Sequence, residues 1–217
     1  MKRLMSSLST ISLLGGLLLS LTGAPQAAAA EPQAAGSPSP AAQAGTVYYV
    51  DGGATGANDG SNWTDAFNDL QDALAAAVDG AEIWVAEGAY LPTDVTDRYS
   101  SFHLVSGVAV YGGFDPTDGA VGWGDRDWDA NPTVLSGDIG TPGGNSDNSY
   151  HVVTAGSLVP ETTVLDGFII TGGNANLGSA PWEWGGGMYV EGNPTIRNTT
   201  FISNTARGGG RMFIKTA

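Results

Sequence analysis

Three aspartates alternate along one short stretch of the chain and offer a first candidate for chemistry. Asp125, Asp127 and Asp129 stand in GDRDWDANP, and alternate residues of an extended strand share one face, about 7 Å apart. Carboxylates so placed could act as acid and base on a glycosidic bond, or as oxygen ligands for Ca²⁺. The stretch fills the first acidic positions of an EF-hand loop, but Ala130 and Ser136 replace its glycine and glutamate. We therefore expect either a calcium site that departs from the EF-hand or a solvated acidic turn.

A looser calcium site is predicted in the loop that follows. Asp138 and Asp147 stand near Asn145 and Asn148, and Ca²⁺ takes carboxylate, amide and backbone carbonyl oxygens as ligands. Calcium is the one cofactor that the sequence suggests. The alternative is that these acidic residues only keep the chain soluble.

Two tryptophans flank a carboxylate in the loop over residues 174–184, NANLGSAPWEW. If the chain is extended here, Trp182 and Trp184 project to one side and Glu183 to the other. Two aromatic faces beside an acid could stack on sugar rings. The alternative is that both indoles pack onto neighbouring strands and close the loop over them.

The two histidines carry no metal-binding signal. His103 and His151 each stand alone beside apolar residues, without a second histidine at the spacing of metal ligands. We expect both to be structural.

Composition narrows the classes of function. The chain of 217 residues has 22 acidic and 8 basic residues and a net charge of −14. That sign disfavours a nucleic acid or an anionic membrane surface as a partner. The chain has no cysteine, so disulfides and thiolate chemistry do not contribute.

The first 30 residues predict a secretory signal peptide. They combine a basic start, an apolar run over 11–21 and small residues up to Ala30. The apolar run is shorter than the about 20 residues that a membrane span needs. We expect cleavage near Ala30, a secreted or cell-surface protein, and no transmembrane segment in the mature chain.

Residues 31–46, rich in Pro, Ala and Ser, predict a flexible linker before a folded domain at 47–217.

The elements that must position the candidate residues are short β-strands. Runs of β-branched and aromatic residues alternate with Gly, Asn, Asp and Pro turn signals. The predicted strands are residues 47–50, 83–86, 108–111, 133–135, 151–154, 164–171, 188–190 and 196–202.

Two internal alignments predict that these strands repeat. LDGFIITGGNA at 165–175 matches IRNTTFISNTA at 196–206, and the triple glycine at 185–187 recurs at 208–210. A sandwich does not need such repetition, whereas a solenoid lays each coil's strand on the previous one. We therefore predict an all-β chain that forms a single-stranded solenoid, a parallel β-helix.

One segment has helical rather than strand periodicity. TDAFNDLQDALAAAV at residues 64–78 places Phe67, Leu70 and Leu74 along one face, and Thr64 can cap its start. The first coil of a solenoid leaves an open apolar end. We predict that this helix caps it.

The chain also resembles known families. Residues 48–90, from YYVDGG to AEGAY, resemble the opening of exported bacterial right-handed parallel β-helix proteins of the pectin-lyase-like fold. VAVYGGF, RDWDANPTVLSGDIG, DNSYHVVTA and VLDGFIITGGNAN resemble the same group in order. GGMY at 186–189 and FISN at 201–204 resemble the repeat of chlamydial polymorphic outer membrane proteins. The resemblance implies a right-handed parallel β-helix and a surface-displayed, adhesin-like protein without a catalytic residue.

The resemblance to the pectin-lyase-like fold implies a second possible function, because this fold includes enzymes. They cleave acidic polysaccharides by elimination, with a Lys or Arg base and often Ca²⁺, or by hydrolysis with clustered aspartates. The one lysine after the predicted signal peptide is Lys215, outside any complete coil. Arg98, Arg126 and Arg197 are the other candidate bases, and none has a matching acid pair at repeat spacing.

The repeat is predicted to break near its last residues. When the triple glycines are aligned, Arg211 stands where the earlier coil has Met188. We therefore expect RMFIKTA at 211–217 to be an out-of-frame or truncated tail. An incomplete solenoid would expose its C-terminal edge and self-associate through it.

Three functions follow from the sequence. The favoured one is a secreted or cell-surface β-helix module, adhesin-like or structural, without catalysis of its own. The alternatives are a fragment of a polysaccharide lyase or glycoside hydrolase, and a carbohydrate-binding module that uses Trp182, Glu183 and Trp184. The expected partner is a polysaccharide or a host or cell-surface glycan, and no nucleic acid.

Overall fold

A computed structural model describes residues 45–118 and 121–215. The predicted signal peptide and most of the predicted linker lie outside these residues. The described chain consists mainly of β-strands with one seven-residue α-helix, which confirms the all-β class. Among these residues, no helix is long and apolar enough to cross a membrane.

The strands are short, and each contains two to six residues. In chain order the elements are β1 Val47–Val50, α1 Leu70–Ala76, β2 Glu82–Ala86, β3 Gly88–Tyr90, β4 Phe102–His103, β5 Ala109–Phe114, β6 Thr133–Ser136, β7 Val153–Ala155, β8 Val164–Asp166, β9 Phe168–Thr171, β10 Asn174–Ala175, β11 Met188–Val190, β12 Thr195–Arg197, β13 Thr200–Ile202, β14 Thr205–Ala206 and β15 Met212–Ile214. Two 3₁₀ turns lie at Pro116–Asp118 and Trp123–Asp125.

All of these strands pair in parallel, in four sheets. Sheet A has the order β1-β2-β5-β8-β12, sheet B β3-β6-β9-β13, sheet C β4-β7-β11-β15 and sheet D β10-β14. From β2 onward, each pass of the chain contributes one strand to sheet A, then one to sheet B and then one to sheet C. The last two passes add a strand of sheet D between B and C.

The predicted repeat between residues 165–175 and 196–206 is confirmed. Leu165 lies opposite Ile196, Ile170 opposite Phe201 and Ala175 opposite Ala206. However, the strands predicted at 164–171 and 196–202 are each divided into two strands that belong to different sheets. The breaks fall at Gly167, with φ 85°, and Asn198, with φ 44°. These left-handed residues turn the chain from sheet A into sheet B.

The predicted break of the repeat at Arg211 is wrong. Strand β15 pairs with β11, and Met212 lies opposite Met188. The repeat is therefore one residue longer than the triple glycines suggest, and Gly208 pairs with Trp184. Gly185 and Gly209 take matching left-handed conformations, with φ 62° and 61°.

Helix α1 is shorter than the helix predicted at residues 64–78. Asp69, rather than Thr64, is its N-cap, and the Asp69 carboxylate accepts a backbone N–H of the first turn at 2.9 Å. Phe67 lies outside the helix because its backbone N–H donates to the carbonyl of Tyr49 at 2.9 Å. The segment before Asp69 therefore extends sheet A instead of lengthening the helix.

One hydrophobic core collects residues from sheets A, B and C and from α1. In-register residues form buried columns, such as Ile83, Val110 and Leu165 of sheet A. Leu70 and Leu74 of α1 belong to the same core. Because successive strands bury matching positions, the positions between them face outward in columns of their own.

Candidate functional site

The outward columns place aromatic side chains on two surfaces of the molecule. The sheet A surface consists of residues on sheet A and the segments that cover it: Tyr49, Trp63, Trp84, Tyr111, Phe114, Trp123, Arg126, Trp128, Asp166 and Arg197. The sheet C surface consists of residues on sheet C and the loops before it: Tyr99, Tyr150, His151, Trp182, Trp184, Tyr189 and Phe213.

The register of sheet A builds the first surface. Tyr49, Trp84 and Tyr111 lie directly opposite one another on β1, β2 and β5. Asp166 and Arg197 continue this row on β8 and β12. Opposite residues on neighbouring parallel strands share a face at a spacing of about 4.8 Å. Three rings and two charged groups therefore form one outward row.

Trp123 lies over this row and is half exposed. Its ring centroid is 4.7 Å from that of Tyr111 and 5.8 Å from that of Trp84, yet 50% of the residue remains accessible. Trp128, later in the same connection between β5 and β6, is 37% exposed. The sheet A surface thus combines a packed aromatic layer with an accessible indole.

Arg126 fastens the connection between β5 and β6 to the sheet. Its guanidinium makes a 2.8 Å ion pair with Asp166, and only 5% of the Arg126 side chain is exposed. Its Nε donates to the carbonyl of Gly112 at 2.6 Å, and its guanidinium carbon lies 4.8–5.5 Å from three aromatic centroids. The guanidinium of Arg126, a candidate base by residue type, is therefore committed to contacts within the fold.

Several polar groups line the edges of the rings. Trp84 Nε1 donates to Glu82 at 2.8 Å. Burial, with Glu82 and Asp166 as further causes, raises the pKa of Tyr111. Among the described residues, the side chains of Tyr111, Trp123 and Arg197 have no hydrogen-bond or ion-pair partner.

Sequence reasoning missed the sheet A surface. Tyr49, Trp84 and Tyr111 each fall within a predicted strand, at 47–50, 83–86 and 108–111, but apolar periodicity alone does not show that these strands pair. Alignment of these strands with one another would have placed the three rings in one row. Trp123 has no such signal, because it lies on a connection whose path the strands do not fix.

The sheet C surface is a stack of rings closed by the two predicted tryptophans. Trp182 stacks on His151 at 5.2 Å, and His151 on Tyr189 at 5.3 Å. Tyr189 stacks on Phe213 at 5.8 Å, and Phe213 on Trp184 at 4.9 Å. Both tryptophans are half-buried. They pack onto the strands, as in the second of the two alternatives for this loop.

Glu183 lies between these tryptophans and is half-buried. Its backbone carbonyl accepts the N–H of Gly208 at 3.0 Å, which ties the loop to the next pass of the chain. The two predicted carbohydrate-binding tryptophans thus lie at opposite ends of the stack, with Glu183 between them in the chain.

His151 is buried in the middle of this stack. Its Nδ1 lies 3.0 Å from the carbonyl of Gly185 and therefore carries the proton. Its Nε2 is buried and has no hydrogen-bond partner among the described residues. Burial lowers the pKa of His151. His103 is exposed, and its Nδ1 lies 3.1 Å from Thr154 Oγ1.

The aspartates of the first calcium prediction do not share a face. Asp125 accepts the backbone N–H of Gly122 at 2.9 Å, and Asp127 accepts those of Asp129 and Ala130, each at 3.0 Å. These carboxylates stabilise tight turns, because the stretch is not an extended strand. No group of three or more His, Cys, Asp or Glu side chains in 45–118 and 121–215 could hold a metal ion. The triplet therefore does not fit calcium.

Asp138 and Asp147 close the next loop from its two ends. Asp138 accepts the N–H of Gly143 at 2.8 Å, and Asp147 accepts that of Thr141 at 2.7 Å. This bond lowers the pKa of Asp147. Asp138 lines a polar cavity of about 270 Å³ with Asn145 and Asn148. Both carboxylates act as loop caps, and calcium at this loop stays a prediction.

Two of the other three candidate bases make structural contacts. Arg98 donates to the carbonyl of Asn148 at 2.7 Å and lies 4.0 Å from the centroid of Tyr150. Lys215 pairs with Glu191 at 2.9 Å. Of the four basic candidates, Arg197 is the one whose side chain has no partner among the described residues.

Comparison with protein-family models, curated proteins and solved structures finds no match for this chain. The function of the chain is therefore inferred from the geometry of its own surfaces.

Proposed function

We propose that this chain is a right-handed parallel β-helix, exported to the cell surface or beyond, that acts as an adhesin-like module. It binds surface glycans and has no catalysis of its own. The observation that carries this proposal is the outward row of Tyr49, Trp84 and Tyr111 on a stack of parallel strands, covered by a half-exposed Trp123.

The topology supports the β-helix. The chain visits sheets A, B and C in the same order on successive passes, and it buries matching residues at matching positions. Helix α1 buries Leu70 and Leu74 in the same core, beside the first strands of the stack. A helix in that place supports the role of an N-terminal cap, because it keeps the apolar end of the solenoid from water.

The use of the charged residues supports binding rather than catalysis. Arg126 is buried in an ion pair, and Lys215 is paired with Glu191. Asp125 and Asp127 hold turns through backbone N–H groups. A catalytic base or a pair of catalytic carboxylates must reach a substrate, and these groups are committed to the fold.

Export and binding are tested together with the full 217-residue chain. It is expressed in a bacterium, the exported fraction is analysed by mass spectrometry, and the purified protein is applied to a glycan array and assayed for sugar release. We expect an N-terminus near residue 31, binding to glycans, and no new reducing ends or unsaturated uronates. A protein that stays inside the cell uncleaved and binds no glycan contradicts the proposal. Release of sugar from a bound polysaccharide would favour the lyase or hydrolase alternative.

A further inference from the structure

We infer that the sheet A surface binds an uncharged polysaccharide, with the accessible part of the Trp123 indole as its stacking platform. The inference rests on the proposed function of the chain as a glycan-binding module. It assigns the surface, the ligand class and the principal residue.

An aromatic side chain is partly exposed on the sheet A surface. Trp123 contacts the rings of Tyr111 and Trp84 at centroid distances of 4.7 and 5.8 Å, yet half of it is accessible. The face of an indole is electron-rich and attracts the positive edge of C–H groups. The ring faces of a pyranose carry such C–H groups, so a sugar ring matches this platform in shape and polarity.

The second step is the polar edge of the same surface. The Tyr111 hydroxyl, the Trp123 indole N–H and the Arg197 guanidinium have no hydrogen-bond partner among the described residues. A purely apolar ligand would cover these groups and leave them unsatisfied, at a cost in free energy. Sugar hydroxyls both donate and accept hydrogen bonds. An amphipathic ligand with hydroxyls around an apolar face therefore fits the surface better than an apolar one.

The third step is the charge of the surface. Arg126 neutralises Asp166 in a buried ion pair, which leaves Glu82 on one side of the row and Arg197 on the other. The connection that carries Trp123 adds the carboxylates of Asp125 and Asp127, and the whole chain carries −14. The field of such a chain repels a polyanion. The ligand that fits is therefore uncharged.

The fourth step is the rigidity of the platform. Trp123 stands in a 3₁₀ turn whose Asp125 carboxylate accepts the N–H of Gly122 at 2.9 Å. Trp63 Nε1 donates to the carbonyl of Val121 at 3.0 Å. Both bonds fix the backbone beside Trp123, so the segment that carries the indole loses little freedom when a ligand binds.

The test is affinity electrophoresis of the full chain in gels that contain one polysaccharide each. The uncharged probes are hydroxyethyl cellulose, glucomannan and arabinoxylan, and polygalacturonate is the charged probe. We expect at least one uncharged probe to retard the protein, and Trp123→Ala to weaken that binding about tenfold or more. A Trp182→Ala, Trp184→Ala double variant, altered on the sheet C surface, should be retarded like the wild type.

The inference is overturned if none of the uncharged probes retards the wild type, if polygalacturonate alone does so, or if Trp123→Ala is retarded equally. Binding of the wild type to charged glycans on the array would leave the proposed function standing while this inference fails. If Trp123→Ala alters the far-ultraviolet circular dichroism, Arg197→Gln decides instead. Because Arg197 is exposed, its replacement should weaken binding about threefold without unfolding, and unchanged binding would overturn the inference.

Discussion

Arg126 is one of three arginines that could serve as a base by residue type alone. In the fold its guanidinium pairs with Asp166, bonds to the backbone and is surrounded by three rings. A guanidinium keeps its proton in any protein environment, and this one is out of reach of a ligand. The residue instead fastens the connection that carries Trp123 to the sheet.

His151 makes the stability of the chain depend on pH. Its pKa is lowered by burial, so the unfolded chain takes up the proton first as the pH falls. The stability contribution is complete above the ordinary pKa of about 6.5 and is lost as the pH falls from there towards the folded-state pKa. Protonation of the folded state would also place a new N–H on Nε2, which has no acceptor among the described residues.

We therefore expect the free energy of unfolding, measured in urea, to fall between about pH 7.5 and pH 5.5, because the unfolded chain binds a proton at His151 before the folded chain does. His151→Gln should show a smaller fall. His103→Gln, at an exposed histidine, is the matched control and should keep the wild-type dependence. An equal fall in wild type and His151→Gln would show that His151 does not cause it.

The surroundings of some single residues could be predicted from the sequence, and those of others could not. For Trp182 and Trp184, one of the two predicted alternatives was the packing that the structure shows, because a large apolar area favours burial. The prediction placed Asp125, Asp127 and Asp129 on one face because it assumed an extended strand. A 3₁₀ turn at Trp123–Asp125 and a second turn held by Asp127 replace that strand, and alternation no longer applies.

A strand could be predicted where its own sequence is rich in apolar residues. A strand that forms only because it pairs with a neighbouring strand was harder to predict. The predicted β1 coincides with the observed strand at Val47–Val50. Strands β10 and β14, with two residues each, exist through their pairing with one another and carry no periodicity of their own. The division of 164–171 was missed because one glycine in an apolar run does not show which sheet follows.

Helix α1 offers a direct comparison between the predicted and the observed N-cap. The Asp69 carboxylate accepts the N–H of Gln71 at 2.9 Å, whereas Thr64 lies before the helix and is exposed. Loss of a side-chain N-cap typically costs about 1 kcal/mol. We expect Asp69→Ala to lower the free energy of unfolding by about 1 kcal/mol.

Thr64→Ala is the matched control, and its effect should stay within about 0.5 kcal/mol, as for most exposed sites. Both values come from urea denaturation with a shared m-value. A larger effect at Thr64 than at Asp69 would restore the longer helix that the sequence predicts.

At the scale of the whole molecule, both surfaces depend on the parallel stacking of successive passes. The internal repeat between residues 165–175 and 196–206 predicts the register of these strands from the sequence, because stacked strands must bury matching residues. The position of the connection that carries Trp123 could not be predicted, since it depends on contacts between segments far apart in sequence, such as Arg126 with Asp166. The sheet A surface depends on both the register of the strands and the position of this connection.

The most direct test of this stacking is a single engineered disulfide in a chain that has no cysteine. Thr171 and Ile202 lie opposite each other on β9 and β13, where Cα atoms are about 4.8 Å apart, within the range of about 4.4–6.8 Å for a disulfide. Peptide mapping should find nearly complete cross-linking of Thr171→Cys, Ile202→Cys under mild oxidation. Thr171→Cys, Thr200→Cys, two residues out of register, should cross-link poorly. Equal cross-linking of the two pairs, or none in the first, would contradict the parallel stack and the surfaces built on it.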